Sequence, residues 1–477
     1  MSTKNKIIGT MLPISSLYSI KNQNYVNGII DDGLLFIDWL KKTNQHAWQI
    51  LPIHETEYLK DTRINNTSPY KGFGIGINPK YASKNYKLPS DKELDKFRKE
   101  NDFWLSDYSL FCALRDHFQT DDWTSWPDDF KDYKKLNINV WRNKLKKEIL
   151  QYDLIQWQLH SEYKTLKDKA RKNNISLIGD MQFYLPLKSP LVWKYKHLFL
   201  LDENTLPDFV SGVPYKKGVM YGRQVWGHPL YDWQDDSHNS EIISIFIKRL
   251  KYLSNLYDLI RLDHTSGFFR YGKINIHNKN NDAMSTGPGN KALEEIINSI
   301  ENSDIQIFAE DAGYDIGTLP DALKKLDIPG VRVIRCAYDE VNKQFNNIHA
   351  DITNFPQNSV TYTTTHDTET LVGFLEQCNS SERKILAKKL GIEYTEDLKK
   401  YTTEMINLAI NCPSQFVIIP FQDWFFLKDR INIPGTEEIN NRENWKYRIS
   451  SPIEDLINRP ALAEFQTILS KQANTSG

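Results

Sequence analysis

Cysteine is scarce in this chain: Cys112, Cys336, Cys378 and Cys412 are spread through 477 residues with no CxxC pair among them. That spacing argues against a zinc or redox site and against a disulfide framework, and it fits free thiols in a reducing compartment. Long apolar runs are missing too. No segment approaches the ~20 apolar residues that span a bilayer, and the stretch at 7–13 is too short and broken for a secretory signal. A charge surplus is absent, since 60 Lys and Arg stand against 61 Asp and Glu for a net charge of −1. A nucleic-acid partner would call for a basic excess to neutralise phosphates. Phosphate-binding loops are lacking as well. Gly72-Phe73-Gly74-Ile75-Gly76 is rich in glycine, yet no GxGxxG or GxxxxGK[ST] pattern follows a strand and opens a helix. Those glycines are expected to permit close backbone approach or a tight loop. The expectation is a soluble cytoplasmic protein with no nucleic-acid partner, no membrane segment, no cofactor and no metal.

What is present is core material and aromatic side chains. Hydrophobic residues make up 40% and charged residues 25%, the balance of an ordered globular chain. Trp, Tyr and Phe number 12, 24 and 22, a supply that can line a sugar-binding cleft as well as fill a core. Short apolar runs at 7–13, 47–53, 176–183, 259–262, 305–309, 330–338, 360–365 and 416–421 read as strands buried on both faces. Helical periodicity lies between several of them, as at 241–256 and 291–300. Eight such strands with helical crossovers predict an α/β fold, a (β/α)8 TIM barrel spanning 1–477 as one catalytic unit. The uneven spacing predicts a mainly helical insertion at 54–175. A loop insertion rich in aromatics, Gly and Pro is predicted at 184–239. Insertions after barrel strands wall the carboxyl-terminal face, where active sites sit.

Three of the predicted strands end in carboxylates. In Leu259-Ile260-Arg261-Leu262-Asp263-His264 the period of two puts Arg261 and Asp263 on one face. A guanidinium there favours the ionised carboxylate that a nucleophile requires, although an isolated pair of this kind is also an ordinary ion pair. Ile307-Phe308-Ala309 runs into Glu310-Asp311, a pair that suits a general acid or two solvated acids. Thr363-Thr364-Thr365 leads to His366-Asp367, with no further His or Cys at metal-ligand spacing. A barrel brings all three to the same face, the apparatus for retaining glycoside cleavage.

Further local motifs run in the same order. Ser68-Pro69-Tyr70 precedes Asn78-Pro79, followed by Ile178-Gly179-Asp180 and Trp226-Gly227-His228-Pro229-Leu230-Tyr231. After the three acidic motifs come Asn432-Ile433-Pro434-Gly435-Thr436 and Asn444-Trp445. Together these elements resemble the 4-α-glucanotransferases of the amylomaltase (disproportionating enzyme) family, within the α-amylase superfamily. The resemblance implies Asp263 as nucleophile, Glu310 as general acid/base and Asp367 as transition-state stabiliser. It also implies that Tyr70, Asp180, Trp226, Arg261, His264, His366 and Asn432 line the glucan site. The implied reaction moves α-1,4-glucan segments from a maltooligosaccharide donor to the 4-hydroxyl of an acceptor by double displacement. An α-glucoside hydrolase on the same barrel, or a silent glucan-binding protein, are the alternatives. Two departures from the family pattern stand out: His228, where Asn is usual, and Arg335-Cys336, in place of a more neutral, aromatic-leaning pair.

Overall fold

The computed structural model describes residues 6–22, 28–59, 62–84, 87–216, 222–301, 303–312, 315–436 and 443–458. The ends of the predicted 1–477 unit, and residues 217–221 of the predicted 184–239 insertion, lie outside the described residues. All eight expected runs form strands: β1 (Ile7–Met11), β2 (Ala47–Gln49), β3 (Ser176–Met181), β4 (Leu259–Leu262), β5 (Gln306–Ala309), β6 (Gly330–Val333), β7 (Ser359–Tyr362) and β8 (Phe416–Pro420). They pair in parallel in the ring order β5-β4-β3-β2-β1-β8-β7-β6. Between β5 and β6 the ladder is reduced to a seam. There Ala309 N–H donates to Pro329 O at 2.9 Å, and Asp311 Oδ1 accepts from Val331 N–H at 2.7 Å. The result is a nearly closed TIM-like barrel.

The strand period of two divides the apolar residues between two environments. Met11, Ala47, Ile178, Leu259, Phe308, Val331, Val333, Val360, Phe416 and Ile418 pack together inside the ring. Val417 and Ile419 of β8, and Ile260 and Leu262 of β4, join the clusters formed with the surrounding helices. On β4 this alternation turns Arg261, and then Asp263 just past the strand, toward the mouth of the barrel. Helix Asp236–Ser254, which feeds β4, shows how a crossover is built. Asp235 caps it by accepting from Ser237 N–H at 2.9 Å, and Ile242, Ile245, Phe246, Leu250 and Leu253 are buried on its inner face.

The insertions take definite forms. Within 54–175, the strand pair His54–Thr56 and Gly72–Ile77 is irregular in register. Gly74 and Gly76 have φ of +74° and +70°, and a Cβ on them would lie 2.7 Å from Arg249 Nε and 2.9 Å from Tyr108 Cε2. Close approach is thus their role, one of the two that the sequence leaves open. The helix that ends this region, Lys146–Lys172, packs on helix Ile29–Lys42 and on β3. It therefore also serves as the crossover from β2 to β3. Segment 184–239, read from sequence as loop, supplies two strands, Phe209–Val213 and Gln224–Pro229. They join Arg270–Asn275 and Ala283–Thr286 in a four-stranded antiparallel sheet. Its Gly, Pro and register shift hide the alternation that would have marked it. Among the described residues, no helix is long and apolar enough to cross a membrane.

One buried acid shapes the turn after β7. Asp423 is fully buried, and its Oδ2 accepts the hydroxyls of Thr363 and Thr364, each at 2.6 Å. Its Oδ1 accepts from Leu371 N–H at 2.8 Å. Burial pushes this carboxyl up to about 6 against the pull of the three bonds. Replacing Asp423 with Ala strands three buried donors, so a stability loss of about 3 kcal/mol or more is expected in urea unfolding. A change within about 0.5 kcal/mol would remove Asp423 as the anchor of that turn.

Candidate active site

The barrel mouth opens into a cleft of about 1280 Å³. That exceeds the ~300–1,000 Å³ of ordinary small-molecule pockets and leaves room for a chain of sugar rings. Asp263, Glu310 and Asp367 all line it, with side chains 20%, 28% and 40% exposed, so each can touch a ligand. Tyr70, Trp226, Arg261, His264, His366 and Asn432 line it too. Asp180 does not. It lies fully buried beneath the cleft, where its Oδ2 accepts from Arg261 Nη1 at 2.6 Å and from the Tyr70 hydroxyl at 3.0 Å.

Arg261 is the hub. Besides Asp180, its Nη1 reaches Asp263 Oδ1 at 2.8 Å and its Nη2 reaches Glu310 Oε2 at 3.0 Å. Three carboxylates thus crowd one cation. Burial pushes the Asp263 carboxyl well above its ordinary range; Arg261 opposes this, and the charges of Glu310 and Asp180 add to it. The sequence reading, in which Arg261 simply holds Asp263 ionised, considered the single pair and missed the two further carboxylates on that guanidinium. The same contacts hold Arg261 firmly protonated despite its burial.

Glu310 is aimed by a strained neighbour. His264 adopts a left-handed backbone, φ 45° and ψ 44°, which points its N–H at Glu310 Oε2 at 2.7 Å. Burial lowers the His264 ring to about 4, so it is neutral near pH 7. Its edge meets Trp226, with ring centroids 4.8 Å apart. The neighbouring acid Asp311 diverges from Glu310 altogether. It stays at the seam, bonded to Val331 N–H and facing Arg332 at 3.3 Å. The Glu310-Asp311 pair of the sequence is therefore one cleft acid and one seam acid.

Asp367 sits in different surroundings. Burial alone would raise its carboxyl. The opposing contacts prevail: His366 Nε2 at 3.1 Å, Asn432 Nδ2 at 2.6 Å and the charge of Arg261 bring it down to about 2. His366 Nε2 also lies 3.0 Å from the Tyr70 hydroxyl, and the two rings stack at 5.4 Å. Two residues outside the predicted set contribute here, Trp445 in the cleft wall and Arg430 behind it. Trp445, in a left-handed backbone with φ 65°, packs 5.4 Å from Tyr70 and 5.7 Å from His366. Arg430 donates from Nη2 to Asp367 O at 2.9 Å and from Nε to Asn432 O at 3.1 Å. The Asn444-Trp445 motif already marked the first of these; no local pattern marks the second.

His228 proves to be a support for Tyr70. Its Nε2 lies 3.2 Å from Tyr70 O, its Nδ1 3.0 Å from Ser211 Oγ, and burial drives its ring well below its ordinary range. Among the described residues, Asp232, Asp235 and His238 have metal-ligand reach, and none of them lines the cleft.

The family model described as 4-alpha-glucanotransferase matches residues 12–85 and 77–454. A 4-alpha-glucanotransferase of Clostridium butyricum is 31% identical over 462 residues, 87% of this chain and 91% of that protein. One from Aquifex aeolicus is 27% identical, covering 93% of this chain and 95% of its own length. In fold, the chain resembles the amylomaltase of Streptococcus agalactiae solved with acarbose, with a TM-score of 0.79 at 23% identity over 97% of this chain and 98% of that one. It also resembles the Corynebacterium glutamicum amylomaltase, with a TM-score of 0.76 at 16% identity over 97% of this chain and 75% of that one. This chain belongs to the 4-alpha-glucanotransferase family, glycoside hydrolase family 77, and acts as a 4-alpha-glucanotransferase on α-1,4-glucans.

Proposed function

We infer that the transfer runs as a double displacement, with Asp263 as nucleophile, Glu310 as acid/base and Asp367 as stabiliser of the transition state. The observation that carries this reading is the sharing of Arg261. Asp263 and Glu310 bond adjacent nitrogens of one guanidinium, so an attacking and a proton-donating carboxylate stand side by side at the cleft. Asp263 attacks the anomeric carbon while Glu310 protonates the departing glycosidic oxygen. The acceptor 4-hydroxyl then gives its proton to Glu310 and displaces Asp263, restoring the α-linkage. The Asp367 carboxyl, brought down to about 2, stays ionised, which suits it to oppose the positive charge developing on the ring.

Tyr70, Trp226 and Trp445 offer aromatic faces to sugar rings, and His366 and Asn432 offer polar groups to hydroxyls. Asp180 acts from below, holding Arg261 and Tyr70 in place. The S. agalactiae relative holds acarbose, and a maltooligosaccharide is the matching ligand class for this cleft. Transfer requires the acceptor to outcompete water, which walls of this kind favour by binding sugar and excluding solvent. A reducing cytoplasm fits the four free thiols.

Incubation with maltotriose is expected to yield glucose and a ladder of longer maltooligosaccharides whose new linkages are α. A ladder with β-linkages would overturn double displacement. Shorter products alone, at every time point, would instead favour water as the acceptor.

A further inference from the structure

We propose that Arg335 is a positioning residue for Asp367, acting through Glu369 and Arg430. The proposal rests on the reading of Asp367 as transition-state stabiliser. Arg335 lies just past β6 and is fully buried, although a buried guanidinium is costly unless its bonds are satisfied. Its Nε and Nη2 both donate to Glu369 Oε2, at 3.0 and 2.8 Å. Nη2 also reaches Glu340 Oε1 at 2.8 Å, and the guanidinium rests 4.1 Å above the Phe374 ring.

The other oxygen of Glu369 belongs to a second arginine. Arg430 Nη1 reaches Glu369 Oε1 at 2.6 Å, so one carboxylate lies between two guanidinium groups. Arg430 is therefore oriented from behind, and with its remaining nitrogens it grips the carbonyls of Asp367 and Asn432. Asn432 closes the circuit: its N–H donates to His366 O at 3.0 Å and its Nδ2 to Asp367 Oδ1 at 2.6 Å. Asp367 is thus fixed at its backbone and at its carboxylate by groups whose positions depend on Glu369.

Arg335 touches neither the cleft carboxylates nor, by any lining atom, the cleft itself. Its effect is accordingly on orientation. Removing it takes away both bonds that Arg335 makes to Glu369 Oε2, which loosens the carboxylate that orients Arg430 toward the Asp367 carbonyl. A displacement of about 1 Å at a reacting group can cost on the order of 10²-fold in rate.

A double-mutant cycle on maltotriose tests this. Arg335→Gln is expected to lower kcat by about 10- to 100-fold with KM changed less than about twofold. If Arg335 acts through Asp367, the Arg335→Gln/Asp367→Asn double variant turns over within about twofold of Asp367→Asn alone. Losses that multiply, or a kcat for Arg335→Gln near the parent value, overturn the proposal. If Asp367→Asn itself keeps the parent kcat, the reading of Asp367 fails and the inference falls with it, a result distinct from the other two. Glu340→Gln, which changes the other carboxylate on Arg335 and leaves its two bonds to Glu369 in place, is expected to keep its kcat; a loss equal to that of Arg335→Gln also overturns the proposal. Should Arg335→Gln fail to fold, Arg335→Lys takes its place in the cycle. It keeps the charge but loses the two-nitrogen grip on Glu369.

Discussion

Asp263→Ala is expected to reduce transfer from maltotriose by on the order of 10⁴-fold or more, with the fold retained. Loss of a nucleophile removes the covalent route itself, and such losses are among the largest single-residue effects in enzymes. The fold should persist because Arg261 keeps Asp180 and Glu310, and the crowding of three carboxylates on one cation is relieved. Restoration by azide is the sharper measurement. With α-maltosyl fluoride as donor, azide enters from the face that Asp263 leaves open, fluoride departs, and a single displacement yields β-maltosyl azide. An α-azide product would mean that a double displacement survives without Asp263. Undiminished turnover would remove Asp263 from the nucleophile role.

Glu310→Gln should lose about 10³-fold on maltotriose, whose leaving oxygen needs a proton. On α-maltosyl fluoride the loss should shrink sharply, because fluoride leaves with little protonation. Added azide, which needs no base, should then intercept the glycosyl-enzyme and give the α-azide. Equal losses on both donors would point to a structural role. The pH profile supplies an independent sign. The charge of Glu310 adds to the rise of the Asp263 carboxyl, and the nucleophilic role proposed for Asp263 requires its ionised form. Removing that charge lowers the proton affinity of Asp263, so the acidic limb of the fluoride reaction should move to lower pH. A limb that moves up, or not at all, would contradict the coupling through Arg261.

The Asp263 and Glu310 positions are readable because each ends an apolar run, and a barrel sends strand ends to one face. Asp263 carries a second local clue, since its spacing from Arg261 matches the strand period. The partition between Glu310 and Asp311 had no such clue. It depends on β6 lying across the seam, where Val331 N–H captures Asp311. Tyr70 was found from its motif, but its bonds to Asp180 and His366 span 110 and 296 residues. Contacts at that separation leave no periodic trace. The antiparallel sheet was missed for a related reason: its strands come from either side of β4 and meet only in three dimensions.

From the sequence alone follow the eight strands, the barrel, the family resemblance and the three cleft acids, because burial patterns and strand-end chemistry are local. Only the tertiary structure decided that Asp180 lies beneath the cleft, that one guanidinium serves three carboxylates, and that Arg335 reaches Asp367 through two other side chains. The physical reason is that charge and hydrogen-bond energies depend on distance and burial, and both are set where remote segments meet.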